Sequence, residues 1–179
     1  MLKTDTTVLV VVDLQEKLVR PMHQMEALID SQRRLIGGIL ALGVPVLCTE
    51  QNPTGLGKTL PEIAALLGPV EAVSKNCFSC SDSETFMARL RQLNRKNVLL
   101  AGIETHICIY QTALGLIQEG YHVEVVADAC SSRRPENNQI GLYKANNAGA
   151  EITSVETALF ELLKIAEGRV FKEILQIVK

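Results

Sequence analysis

Short runs rich in Val, Ile and Leu alternate with longer stretches of helical periodicity from one end of this sequence to the other. That alternation restricts the fold more than any other feature. The strand-like runs fall at 7–12, 45–49, 70–73, 98–101, 122–127 and 150–153, and helical patterns at about 23–42, 59–67, 82–94, 106–119, 135–148 and 155–166. A strand, a helix and a second strand close as a right-handed βαβ crossover, so the strands lie parallel with helices over both faces. Strands covered on both faces are apolar throughout, as most of these are. Gly43, Asn94 and Gly120 stand near helix ends, where left-handed residues are favoured. The terminal FKEILQIVK predicts a last amphipathic helix. Six such strands predict an α/β, three-layer αβα, Rossmann-like fold with sheet order 3-2-1-4-5-6. Its crevice opens beyond the carboxyl ends of the first and fourth strands. No repeat, low-complexity tract or linker interrupts residues 1–179, so one domain is expected.

Charge and cysteine usage narrow the function. A formal net charge of −2, with no basic cluster, gives no footprint for nucleic acid. No apolar run reaches the ~18 residues of a membrane span. MLKTDTTVLVVVD has an apolar core but no small-residue cleavage site, and it reads as a buried first strand. Five scattered cysteines, Cys48, Cys77, Cys80, Cys108 and Cys130, suit a reducing cytoplasmic compartment better than a disulfide framework. A mitochondrial address stays open if a presequence was removed.

Gly57-Lys58-Thr59 looks like the tail of a phosphate-binding P-loop. The first glycine of G-x-x-x-x-G-K-[ST] would be residue 52, which is Asn52, and Pro53 has no N–H to donate. The Gly55–Lys58 segment therefore reads as a lid or rim over the crevice, with Thr59 capping the helix that follows. A nucleotide-binding protein, with Asp128 at a strand end supporting magnesium, is the alternative.

An acid, a lysine and a cysteine stand at the crevice end of the predicted sheet. Asp13 follows VLVVV, Lys75 follows the third strand, and Cys108 lies in the first turn of the helix after the fourth. With Thr105 as N-cap, the helix end and a nearby Lys75 would lower the thiol pKa, and Asp13 could act as general base. First-turn amides without intrahelical partners could form an oxyanion hole.

These residues, together with Gly102-Ile103-Glu104-Thr105-His106-Ile107-Cys108, Gln111-Thr112-Ala113, Ala127-Asp128-Ala129 and Ser131-Ser132-Arg133, resemble the isochorismatase-like cysteine hydrolases. That family includes nicotinamidases and N-carbamoylsarcosine amidohydrolase. The segments TEQNPTGLGKT and GIETHICIYQTAL are most similar to its isochorismatase-domain-containing subgroup. The resemblance implies a catalytic triad of Asp13, Lys75 and Cys108 acting on a small amide, ureido or related C–N substrate through a thioester. It also implies oxyanion donors at the Thr105 and Cys108 amides, a cis peptide at Ile103–Glu104, and a homo-oligomer to which the C-terminal helix contributes. A family member that has lost catalysis and acts by assembly is a further alternative.

Where nicotinamidases carry a histidine-containing metal site, this sequence reads CTEQNPTG, so no catalytic metal and no cofactor are expected. Gln51, Phe78 and Glu104 are candidate substrate-binding residues. Cys77 and Cys80 form a lone C-x-x-C, for which a structural role is preferred over a redox one. His106 is two residues from Cys108, where helical side chains diverge, so it reads as a capping, packing or interface residue.

Overall fold

Along β1 (Thr7–Val12), Leu9 and Val11 point to one side of the sheet and Val8, Val10 and Val12 to the other, and each set enters a separate core. This follows from the two-residue period of a strand, and it is why β1 has no polar face. In the computed structural model, which describes residues 1–179, β1 sits inside a six-stranded parallel sheet. The others are β2 (Val46–Gln51), β3 (Val73–Lys75), β4 (Asn97–Ile103), β5 (His122–Ser131) and β6 (Glu151–Thr153). Their order is β3-β2-β1-β4-β5-β6, as the alternation predicts.

The helices are α1 (Glu16–Val19), α2 (Met25–Ala41), α3 (Pro53–Leu56), α4 (Pro61–Leu67), α5 (Glu84–Gln92), α6 (Tyr110–Gln118), α7 (Pro135–Asn147), α8 (Val155–Leu163) and α9 (Gly168–Val178). Leu35, Ile36 and Ile39 of α2 meet Leu159 and Leu162 of α8 and Ile174 of α9 over the Leu9 side. Phe86 and Leu90 of α5, Leu116 of α6 and Ala145 of α7 cover the Val10 side. None of the helices is long and apolar enough to cross a membrane. The expected C-terminal helix is α9. Ile174 is fully buried and Ile177 packs beside it, so much of the apolar face is already covered within the chain.

Two expected boundaries move. The apolar run 70–73 is not the third strand; pairing to β2 runs from Thr49↔Val73 to Gln51↔Lys75. Ser74 and Lys75 are polar and so invisible to a hydropathy pattern, yet the ladder includes them. Opposite β4, the register to β5 shifts from Leu100↔Val125 to Gly102↔Cys130, which extends β5 to Ser131. Gly102 sits in that irregularity at φ 141°, where an added Cβ would lie 2.2 Å from the Val12 carbonyl oxygen. Only glycine lets β4 lie against β1 there. Asp128, inside the displaced part of β5, accepts a hydrogen bond from the Val155 amide at 2.8 Å. It anchors the start of α8.

Gly141 brings α7 against the turn that follows β4. A Cβ at this position would meet the His106 nitrogen and the Thr105 carbonyl carbon at 2.5 Å, both of them backbone atoms. Replacing a mid-helix glycine by alanine normally stabilises by up to ~1 kcal/mol. Overpacking against backbone costs about 1–3 kcal/mol, so the steric term wins. Gly141→Ala is expected to lower the urea midpoint; an unchanged or higher midpoint would mean that α7 is free to move away from the turn.

Candidate active site

Asp13 leaves β1 with φ 58°, a left-handed value uncommon for a non-glycine residue. This turns its carboxylate under the sheet ends, where it is 1% exposed. The Thr49 hydroxyl donates to Oδ1 at 2.8 Å and the Lys75 ammonium to Oδ2 at 2.7 Å. Lys75, 4% exposed, also donates to Gln51 Oε1 at 2.7 Å and faces the Cys77 and Phe78 carbonyl oxygens at 3.2 and 3.4 Å. Three ammonium protons thus meet a carboxylate, an amide oxygen and a carbonyl pair. Burial alone would push the Lys75 pKa down. The charge of Asp13, then those available to Cys80 and Cys108, outweigh it and hold the pKa above the ordinary lysine value. Lys75 is therefore a permanent cation in this site.

The turn after β4 carries the cysteine. Glu104 takes φ 53° and ψ 60°, and residues Thr105–Ile109 form a π-helical turn whose last bond runs from the Tyr110 amide to the Thr105 carbonyl. Turns of this type are frequent at functional sites. Every peptide bond in the chain is trans, which corrects the expected cis bond at Ile103–Glu104. The sharp reversal there is made by the left-handed Glu104 instead. Thr105 does not cap the helix either. Its hydroxyl lies 2.5 Å from Asn138 Oδ1 and 3.1 Å from the Ser131 carbonyl, tying the turn to α7 and β5.

Cys108 is 7% exposed and lines a cavity of ≈ 390 Å³ together with Asp13, Gln51, Phe78, Glu104 and Arg133. Leu18, Pro21, Met22, Leu56, Ile103 and Ile107 make the rest of the wall apolar. The three residues expected to contact substrate, Gln51, Phe78 and Glu104, are all in that wall. Gln51 also has a second task, since its side chain bridges Lys75 and the Asn76 carbonyl. The thiol is not the low-pKa group expected from a helix N-terminus. Burial first, then the Asp13 charge, push Cys108 up to about 12, and the attraction of Lys75 only partly offsets them. A hydrogen bond to Asp13 acts in the same upward direction. The resting cysteine is a thiol held beside a base.

Several site residues are silent in the sequence. Gln15, fully buried, donates to the Gln51 and Gly57 carbonyls at 2.9 and 2.6 Å and accepts from the Gln51 amide at 2.7 Å. It fastens the Gly55–Lys58 segment to the end of β2, so this is a tethered rim. The Gly55 and Leu56 amides donate to the Asn52 carbonyl and the Gly57 amide to that of Pro53, which leaves none of the three to wrap a phosphate. Thr59, expected as a cap, instead gives its amide and hydroxyl to Glu50 Oε1 at 2.7 and 2.9 Å. His106 Nδ1 meets the Ser132 hydroxyl at 3.0 Å, and Arg133 Nε donates to Glu104 Oε1 at 2.6 Å. Cys80 lies in a 3-10 turn (Cys80–Asp82), its amide held by the Thr112 hydroxyl at 2.9 Å. It is buried near Lys75, burial raises its pKa to about 11, and like the other four cysteines it is a free thiol.

A protein-family model described as Isochorismatase domain matches residues 7–157. Isochorismatase domain-containing protein 2A of Mus musculus is 37% identical over 176 residues, covering 98% of this chain and 84% of that protein. The structure of MAR1 ribonuclease from Caenorhabditis elegans superposes with a TM-score of 0.92 at 32% identity, over 99% of this chain and 91% of that one. YcaC of Escherichia coli, described as an octameric hydrolase of unknown specificity, gives a TM-score of 0.93 over 98% of this chain and 88% of its own. At 20% identity that likeness is one of fold.

Removing one partner of a buried ion pair leaves the other uncompensated, at a cost of about 3–5 kcal/mol. Asp13→Asn and Lys75→Met are each expected to destabilise by that order. The double variant should lose less than the sum, because it leaves no orphaned charge. Urea unfolding of the four proteins measures this coupling, and additive losses would show that the two side chains do not depend on one another.

Proposed function

The chain belongs to the isochorismatase family, and from that premise we propose that it is a cysteine-dependent hydrolase of small amides, ureides or related C–N compounds. One observation carries the reading. The Asp13 carboxylate, bonded to Lys75 at 2.7 Å, shares a cavity wall with the Cys108 thiol. A thiol whose pKa is held near 12 is a poor nucleophile until its proton is removed, so the base beside it sets the mechanism.

The substrate carbonyl binds with its carbon facing Sγ. As Sγ attacks, the thiol proton passes to Asp13, and the thiolate never accumulates in water. The oxyanion of the tetrahedral intermediate lies against the amides of Thr105 and Cys108. Asp13 then returns the proton to the departing nitrogen, the C–N bond breaks, and an acyl thioester remains on Cys108. Water attacks the thioester, Asp13 accepts its proton, and the acid leaves as Sγ is reprotonated. Lys75 holds the carboxylate in place through both half-reactions and keeps positive charge beside the developing thiolate. The apolar walls and the volume of ≈ 390 Å³ suit a small molecule with an apolar portion.

Cleavage of RNA, the activity in the name of the nematode protein, is less well supported here. The chain has a net charge of −2, and Arg133 at the cavity is already paired with Glu104. We further place the protein in a reducing cytoplasmic compartment, consistent with five free thiols. We take it to be a homo-oligomer, for which exposed Ile140 and Tyr143 on α7 offer an apolar face.

The test is ammonia or amine release from a panel of small amides and ureides, with an RNA control. Single-turnover samples analysed by intact mass should show an acyl adduct on Cys108. Cys108→Ala should abolish turnover, and Asp13→Asn should reduce kcat by about 10²–10⁴. Turnover that survives Cys108→Ala would overturn the covalent route.

A further inference from the structure

We propose that His122, Glu124 and Glu151 form a binding site for a divalent transition-metal ion of the zinc type, at the end of the sheet opposite the cavity. His122 and Glu124 are the first and third residues of β5 and so project from the same face. Glu151 opens β6 and pairs directly with Glu124 across the ladder. Two carboxylates placed opposite one another on neighbouring strands repel, so this register is costly unless a positive charge stands between them. No lysine or arginine forms an ion pair with either acid. Both lie against His122, and the Glu161 carboxylate, itself 3.7 Å from the Met1 ammonium, also stands near Glu124.

The distances point past a simple ion pair. His122 Nε2 lies 3.4 Å from Glu124 Oε1 and 3.6 Å from Glu151 Oε1. A direct N–H···O bond would close to about 2.7–3.2 Å. Ligands about 2.0–2.2 Å from a tetrahedral ion are separated from each other by roughly 3.3–3.6 Å. The three donor atoms lie within 4.8 Å of one another. Glu124 supplies an independent sign of a missing partner. Its side chain is 4% exposed, and its buried Oε1 has no hydrogen-bond partner. The buried His122 Nε2, aimed at the same point, has none either. An orphaned buried carboxylate oxygen is expensive, whereas a coordinated one is satisfied. One imidazole nitrogen and two carboxylate oxygens are a donor set that zinc accepts, with water completing the shell. The bound ion would clamp β6, a three-residue edge strand, onto β5.

The full chain, stripped with a chelator and dialysed free of it, is titrated with Zn²⁺ by calorimetry and with Co²⁺ by absorption. One ion per chain is expected. The cobalt spectrum should show visible d–d bands but no near-ultraviolet thiolate charge-transfer band, which separates this site from the cysteines near the cavity. Glu124→Gln and Glu151→Gln should each weaken binding by at least about tenfold and remove the zinc-dependent rise in Tm. Glu151 is 63% exposed, so Glu151→Gln keeps the test available if Glu124→Gln does not fold. No saturable binding would show that His122 is merely an ion-pair partner. A thiolate band, or affinity unchanged in Glu151→Gln, would place the ion elsewhere. Either result overturns the proposal.

Discussion

A lysine and an aspartate with side chains 0% and 2% exposed, 2.7 Å apart, are the constraint around which the cavity end of this protein is arranged. Taking two charges out of water costs several kcal/mol for each ion, and their attraction offsets this only when the remaining protons and lone pairs are also satisfied. Thr49, Gln51 and the Cys77 and Phe78 carbonyls do that here. Asp13 directly follows β1, Thr49 and Gln51 belong to β2 and Lys75 ends β3, so the pair demands a fixed alignment of these three strands. The pairings Val12↔Thr49 and Gln51↔Lys75 meet that demand. β3 is only three residues long, and Lys75, its last residue, makes the ion pair.

Burial and the same pair together set the state of the cysteine. Burial raises the Cys108 pKa most, the Asp13 charge raises it further, and Lys75 only partly offsets them. Of the four further free thiols, Cys80 also lies near Lys75 and Asp13, and Cys48, Cys80 and Cys130 have pKa values raised chiefly by burial. Reactivity is thus assigned by neighbours, not by the presence of sulfur.

Much of this was legible in the residues. Alternation of apolar runs with helical periods implies a parallel sheet between helix layers, and Asp13, Lys75 and Cys108 stand out in the sequence because each ends or follows a strand on the crevice side. Gln51, Phe78 and Glu104, the candidate substrate-binding residues, line the cavity wall. What escaped depends on distance between elements. Thr49 and Gln15 look like ordinary strand-end polar residues until their bonds to Asp13 and to the Gly57 carbonyl are seen. The direction of the Cys108 shift was misread because a helix N-terminus is a local feature, while the Asp13 charge and the burial are tertiary ones. Ser74 and Lys75 lay outside the expected third strand because hydropathy does not register a polar ladder. The Glu124↔Glu151 apposition needs the β5–β6 register, which no single segment encodes.

The most direct test is the pH dependence of Cys108 alkylation by iodoacetamide, mapped by peptide mass spectrometry in the wild-type protein and in Asp13→Asn. The wild-type rate should climb steadily with pH and show no plateau near neutrality, as a thiol with a pKa near 12 requires. Removing the Asp13 charge leaves the attraction of Lys75, so alkylation of Asp13→Asn at neutral pH should be faster. A wild-type plateau near neutral pH, or a rate indifferent to Asp13→Asn, would show that Asp13 does not hold the cysteine proton.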